Sequence, residues 1–207
     1  AQMLIGLGCE PDSKVAVYAW NRVEWAELLF GSFKARVIPI NVNYRYVAHE
    51  LEYLFDNSDS EVVVFERGFA PVIDEIRSKL TKVREFVVIE DGTDHPTPWA
   101  KDYDELVNEQ SDATFSNGRT GDDLYFLYTG GTTGVSKGAM LSHKNLVTNT
   151  LQMMQMVEKF IRLGKETIIT ALPLYHIFAF TVNLLGFYHV GGRNIVIPNP
   201  RPPSNLK

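Results

Sequence analysis

The amino-acid sequence predicts an α/β fold in which parallel-type sheets are flanked by helices. Three observations predict it: short apolar runs of strand length, segments with helical periodicity between them, and a glycine-rich loop directly after one of the runs. Residues 15–20 are apolar on both faces, as a strand between two helix layers must be. Residues 23–35 follow with Ala26, Leu29 and Phe33 at helical spacing, and residues 37–40 make a second short strand. A helix over 49–55, a strand at 62–65, a helix over 71–80 and a strand at 86–89 continue the alternation.

From 90 to 121 the chain turns polar, with Asp91-Gly92, Pro96, Pro98 and Asn117-Gly118 as turn signals around one short helix over 103–109. This stretch is expected to be a surface excursion, free to vary without disturbing the sheet. The pattern resumes with a strand at 124–128, a loop over 129–138, and a helix that opens near Ser142, whose hydroxyl can cap it, and runs towards Ile161. A strand at 167–172, a helix over 177–188 stopped by Gly191-Gly192, and a strand at 194–197 complete the series. The expected division is a first lobe over 1–162, carrying the loop at 128–138, and the start of a second lobe over 163–207.

Composition excludes several classes. The net charge is −5 and the 20 basic residues are scattered, so no stripe exists to neutralise a nucleic-acid backbone and no such partner is expected. Cys9 is the single cysteine, which leaves no internal disulfide or thiolate zinc cage and fits a reducing cytoplasmic compartment. Residues 177–190 are the most apolar stretch, but Asn183 and His189 interrupt it and it is shorter than the roughly 20 residues a bilayer requires, so it reads as core. No signal peptide is expected at Ala1-Gln2-Met3-Leu4, and the absence of an initiator methionine suggests a sequence that begins inside a longer chain.

The loop from Tyr128 to Gly138 carries the chemistry. Its glycines let backbone N–H groups crowd around a phosphate, its threonines add hydroxyls, and Lys137 adds a compact positive charge, which together suit a triphosphate. A flexible Gly/Thr linker is the alternative. A Walker A loop is excluded, because that motif ends in Gly-Lys-Ser/Thr, whereas here Lys137 precedes Gly138 and Ala139 follows.

Residue by residue, this loop resembles the signature Tyr/Phe-Thr-Ser/Gly-Gly-Thr-Thr-Gly-x-Pro-Lys-Gly of the adenylate-forming superfamily of acyl-CoA synthetases, luciferases and peptide-synthetase adenylation domains, at ten of eleven positions. Ser136 replaces the usual proline and is expected to loosen the turn before Lys137. A second segment, Ala171-Leu-Pro-Leu-Tyr-His-Ile-Phe178, resembles the next motif of the superfamily, in which a histidine stands beside the acyl substrate. Alone, His176 would read as a core histidine. Asn41-Val-Asn-Tyr-Arg45 and residues 51–58 are also familiar in these enzymes. The first half looks like ligases for long-chain or steroid side-chain acids, and the part from Ser136 onward like the bacterial long-chain fatty-acid–CoA ligase.

The resemblance implies an ATP-dependent ligase for a fatty acid. A carboxylate attacks the α-phosphorus of ATP to give an acyl-adenylate and pyrophosphate, and coenzyme A then displaces AMP. It further implies that Thr129 ligates Mg²⁺, that Gly130, Gly131, Thr132, Thr133, Gly134 and Gly138 surround the phosphates, that Lys137 adds charge there, and that His176 serves as the catalytic-site residue beside the acyl-adenylate. Aryl-acid or amino-acid adenylating enzymes are the near alternative, and a non-catalytic nucleotide-binding module the distant one. The superfamily's magnesium-binding glutamate, its ribose motif, its hinge and its C-terminal domain with the adenylation lysine do not occur before Lys207, so the polypeptide alone is expected not to make acyl-AMP. A cytoplasmic enzyme is expected, with peripheral membrane contact and a homodimer left open.

Other residues take plainer readings. His143, Lys144 and Asn145 read as a solvated first helical turn, Met153, Met154 and Met156 as core fillers, and Phe178 and Phe180 as core residues that in a fatty-acid ligase can line the acyl tunnel. His49, His95 and His189 lack metal-ligand spacing, and Asp122-Asp123 reads as a turn or cap.

Overall fold

A computed structural model describes residues 1–113, 116–130 and 135–200. Seven strands, β1 (Lys14–Tyr18), β2 (Ile38–Asn41), β3 (Val62–Glu66), β4 (Glu85–Ile89), β5 (Lys101–Asp102), β6 (Leu124–Thr129) and β7 (Lys137–Ser142), form one sheet in the order β5-β4-β3-β1-β2-β6-β7. Every neighbouring pair runs parallel except β6 and β7, which are antiparallel. From β1 the chain winds outward to β2 and then back across β1 to β3, so the winding direction reverses at the centre of the sheet. Crevices at such reversals, beyond the carboxyl ends of the strands, are where open α/β sheets hold ligands.

The reversal puts consecutive helices on opposite faces. Trp25, Leu28 and Leu29 of α2 (Val23–Ala35) pack with Val15, Val17, Val62 and Val64 on one face. Leu51, Leu54 and Phe55 of α3 (Ala48–Asn57) pack with Ala16, Tyr18, Val63 and Phe65 on the other. Strands covered on both sides need apolar residues at successive positions, which is why Val62, Val63, Val64 and Phe65 follow one another in β3. The short helices α1 (Gln2–Gly6) and α5 (Tyr103–Asn108) add Met3, Leu4 and Tyr103 to the first core, and α4 (Ala70–Ile76) adds Ala70, Ile73 and Ile76 to the second.

The polar stretch 90–121 is more than a loose excursion. Lys101 and Asp102 pair with Val87 and Val88 as strand β5. Trp99 stacks on Phe65 with ring centroids 5.4 Å apart, and the buried Tyr103 donates to Glu27 Oε2 at 3.0 Å. A two-residue strand has no period for a sequence pattern to show, so the expectation of free variation fails here.

The long helix α6 (His143–Val157) begins as the sequence predicts. Ser142 Oγ accepts from Asn145 N at 3.2 Å, and Asn145 Oδ1 accepts in return from Ser142 N at 3.0 Å. Its neighbour departs from expectation: Ala179–Gly186 is a π-helix, followed by the single turn α7 (Phe187–His189). The stop lies where expected, with Gly191 at a φ of +67° and Gly192 without room for a side chain, since a Cβ there would stand 2.8 Å from Phe187 Cδ1. Strands β8 (Thr167–Thr170) and β9 (Arg193–Val196) form a separate parallel pair. No helix among the described residues is long and apolar enough to cross a membrane.

Three expectations about burial are corrected. Met154 is buried, but Met156 is 82% exposed, and Phe178 is 54% exposed while Phe180 is fully buried. Met156 stands near the end of α6 and Phe178 directly before the π-helix, where apolar character alone does not say which side a residue takes. His143 is not solvated either. It is half-buried with its ring centroid 4.5 Å from that of Phe33, and its Nε2 is buried with no partner among the described residues.

Burial holds the His143 imidazole below its ordinary value, an effect opposed by nearby Asp123 and reinforced by Arg119. The folded state therefore resists the proton that the unfolded chain accepts, so stability is lost as pH falls below about 6.5 and through the lower folded value. The thermal midpoint is expected to decline more steeply between pH 7 and pH 5 in the native protein than in His143→Phe. Calorimetry across that range checks it, and parallel curves would refute it.

Candidate functional site

The carboxyl end of the sheet brings the two sequence motifs to one place. Thr129 ends β6 and Lys137 begins β7, both exposed, and the antiparallel register pairs them directly. The predicted loop is thus shorter than expected, because Lys137 and Gly138 belong to a strand. Gly131, Thr132, Thr133 and Gly134 lie outside the described residues, and Gly130 is exposed just after β6.

Gly138 has a specific local cause. It faces Tyr128 across the hairpin, and a Cβ there would stand 2.9 Å from Tyr128 Cε2. The missing side chain lets the Tyr128 ring lie over the strand, where its Oη donates to Asn57 Oδ1 at 2.8 Å. Burial, followed by the charges of Tyr53 and Asp59, pushes this phenol up to about 12, so it remains a donor at neutral pH.

Ser136 has two hydrogen-bond partners at this turn. Its Oγ lies 2.9 Å from Tyr46 Oη, and its carbonyl accepts from Tyr53 Oη at 3.2 Å. Two hydrogen bonds thus do the restraining that a fixed φ would do in proline.

His176 is exposed at the start of the helical segment after β8. Its Nδ1 accepts from Phe178 N at 3.3 Å, and His176 N donates to Pro173 O at 3.0 Å. The residue before it, Tyr175, packs edge-on to Tyr44 with centroids 5.0 Å apart.

Asn41 joins the two motifs. This buried residue ends β2, its Oδ1 accepts from Tyr128 N at 2.7 Å, and its Nδ2 donates to Tyr175 O at 2.6 Å. The residue before Thr129 and the residue before His176 therefore hang from one amide. Asn21 plays a parallel part behind it. Its Oδ1 accepts from Leu174 N at 2.7 Å, while Nδ2 donates to Leu172 O at 2.8 Å and to Ile197 O at 3.2 Å. Neither role is visible in the sequence pattern, although a buried amide at the carboxyl end of an apolar strand is the signal to look for.

An apolar cleft lies elsewhere. A cleft of about 400 Å³ lies between α2, α6 and the π-helix, on the opposite sheet face from α3, and Phe30, Phe33, Leu146 and Tyr188 among others make it mostly apolar. Among the described residues no group of three or more His, Cys, Asp or Glu side chains could hold a metal ion. Asp123 has the structural role expected of a turn residue. It accepts from Thr120 N at 3.1 Å and pairs with Arg36 at 3.2 Å, and although burial favours protonation these partners hold its carboxyl below the usual range.

The doubly wound α/β sheet carries Thr129, Gly130 and Lys137 at one hairpin, and the chain belongs to the AMP-binding enzyme family, which matches it over residues 1–207. Among its relatives is the long-chain-fatty-acid–CoA ligase of Escherichia coli O6:H1, 34% identical over 97% of this chain and 40% of that protein. The 3-oxocholest-4-en-26-oate–CoA ligase of Rhodococcus rhodochrous is 40% identical over 67% of this chain and 25% of its own length. In three dimensions the chain resembles ATP-bound MatB from Rhodopseudomonas palustris, with a TM-score of 0.82 and 28% identity over 99% of this chain and 39% of that one. The fold is also that of the anthranilate CoA ligase AuaEII in complex with anthranoyl-AMP, at a TM-score of 0.86 and 23% identity, with 99% of this chain and 39% of AuaEII covered. The chain thus spans 40% of the length of the long-chain ligases it matches.

Proposed function

We propose that this chain is the part of an ATP-dependent acyl-CoA ligase that holds the nucleotide phosphates and borders the acyl group, and that the complete protein converts a fatty acid to acyl-adenylate and then to acyl-CoA. The observation that carries this reading is Asn41, whose amide holds Tyr128 N and Tyr175 O and so keeps the hairpin and the His176 segment together at the carboxyl end of β2. Adenylate formation joins a carboxylate to a polyanion, and the obstacle is their repulsion. Fixed N–H donors and one cation at the phosphate end lower that barrier without a protein nucleophile.

On this reading Lys137 neutralises phosphate charge opposite Thr129, the glycines from Gly130 to Gly134 with Thr132 and Thr133 wrap the phosphates, and His176 lines the acyl side. The donor set suits Mg²⁺ in one respect. With no carboxylate cluster among the described residues, the Thr129 hydroxyl would be a hard oxygen ligand to an ion held otherwise by phosphate and water, and the ion would supply charge neutralisation. Leu172 and Phe178 stand exposed on either side of His176, at 50% and 54%, which supports an apolar acyl partner. The separate β8–β9 pair supports a lobe boundary near residue 162.

The complete protein, given MgATP, labelled pyrophosphate and a panel of acids, is expected to catalyse exchange with palmitate far faster than with benzoate or amino acids. Preference for an aryl or amino acid would reassign the substrate. No exchange with any acid would leave a nucleotide-binding module.

A further inference from the structure

The helix α3 touches the glycine-rich hairpin at both ends. At its C-terminus Asn57 Oδ1 accepts from Tyr128 Oη at 2.8 Å, just before Thr129. From its middle Tyr53 Oη donates to the Ser136 carbonyl at 3.2 Å, and from the turn before it Tyr46 Oη meets Ser136 Oγ at 2.9 Å, just before Lys137. The mount itself is firm. Leu51, Leu54 and Phe55 are fully buried, Glu50 Oε2 accepts from Val47 N at 3.0 Å at the helix start, and the Tyr46 carbonyl accepts from the buried Tyr18 Oη at 3.1 Å.

We propose that α3 is the mount of this hairpin and that Tyr46 and Tyr53 are positioning residues for Lys137, gripping Ser136 through its hydroxyl and its carbonyl. Neither tyrosine touches the nucleotide. They hold the exit of the loop in the register that sets Lys137 opposite Thr129, so that ordering cost is met on folding and not on binding. Tyr128, whose ring occupies the space over Gly138, anchors the start of the loop to the same helix. The nucleotide part of this proposal rests on the function proposed above, whereas the mechanical part does not.

The test is a double-mutant cycle on Tyr46→Phe and Ser136→Ala in the complete protein, read by amide hydrogen exchange over residues 129–138 without ligand and by steady-state kinetics. Each single variant is expected to speed exchange in that segment and to raise KM for MgATP roughly two- to tenfold, the span of one hydrogen bond, with kcat and the KM for the acid unchanged. The double variant should match either single one, because both remove the same bond. Tyr53→Phe, which removes a different bond, should add to Tyr46→Phe. Unchanged exchange in Tyr46→Phe, or fully additive effects with Ser136→Ala, would overturn the clamp. Equal rises in both KM values would overturn its nucleotide role and show general damage. A native protein that binds no MgATP would overturn the ligase function and the nucleotide role together, while the exchange data still decide the clamp.

Discussion

Lys137→Ala is expected to lower kcat/KM for MgATP about 10²- to 10³-fold, the loss typical when a preorganised electrostatic group at a developing charge is removed. Stability should hardly change, because Lys137 is exposed at the start of an edge strand and forms no ion pair with a carboxylate among the described residues. Lys137→Arg should restore part of the activity, since charge is kept while the compact ammonium is exchanged for a planar fork. Kinetics over a range of MgATP, set beside thermal melts, checks both halves. A variant with native kcat/KM for MgATP would remove the lysine from the phosphate site.

Asn41→Ala should act on folding as well as activity. The substitution leaves Tyr128 N and Tyr175 O without their partner in a place where Asn41 itself is 3% exposed. Two backbone groups stranded in the interior cost about 2–5 kcal/mol together, which corresponds to a fall of roughly 5–15 °C in the thermal midpoint for a unit of this size. Because the same amide connects the hairpin to the His176 segment, KM for MgATP and KM for the acid should rise together, unlike the pattern expected of Tyr46→Phe. Asn41→Asp separates the two bonds, as a carboxylate still accepts from Tyr128 N but no longer donates to Tyr175 O. A melt unchanged in Asn41→Ala would show that water replaces the amide, and the coupling of the two motifs would fall with it.

The fold was readable wherever a residue pattern repeats. The β-branched runs of β1, β3 and β4, the amphipathic α2 and the Ser142 cap of α6 all follow from local period and capping chemistry, and the structure has each of them within a few residues of the expected bounds. Strand β7 escaped because its Lys-Gly-Ala-Met-Leu-Ser segment lies exposed at a sheet edge, where no buried face imposes alternation. The π-helix escaped because its apolar run mimics the spacing of an ordinary helix.

The site divides along the same line. Thr129, Lys137, Gly138 and His176 stand out in the linear chain because a phosphate cradle and its companion histidine segment need those residue types in that order. Asn41 and Tyr53 fall in segments that resemble the superfamily, yet their roles, like those of Asn21 and Tyr46, do not show in the linear chain, since an amide or a phenol gains meaning from what it reaches.

By itself the amino-acid order determined the class of fold, the strand that carries the hairpin and the chemistry available at its tip, all of which depend on contacts near in sequence. What holds that tip required the folded chain. Asn41 reaches Tyr175 across 134 positions and Tyr46 reaches Ser136 across 90, and partners so distant are chosen by the winding of the sheet, which brings the ends of β2 and β6 side by side.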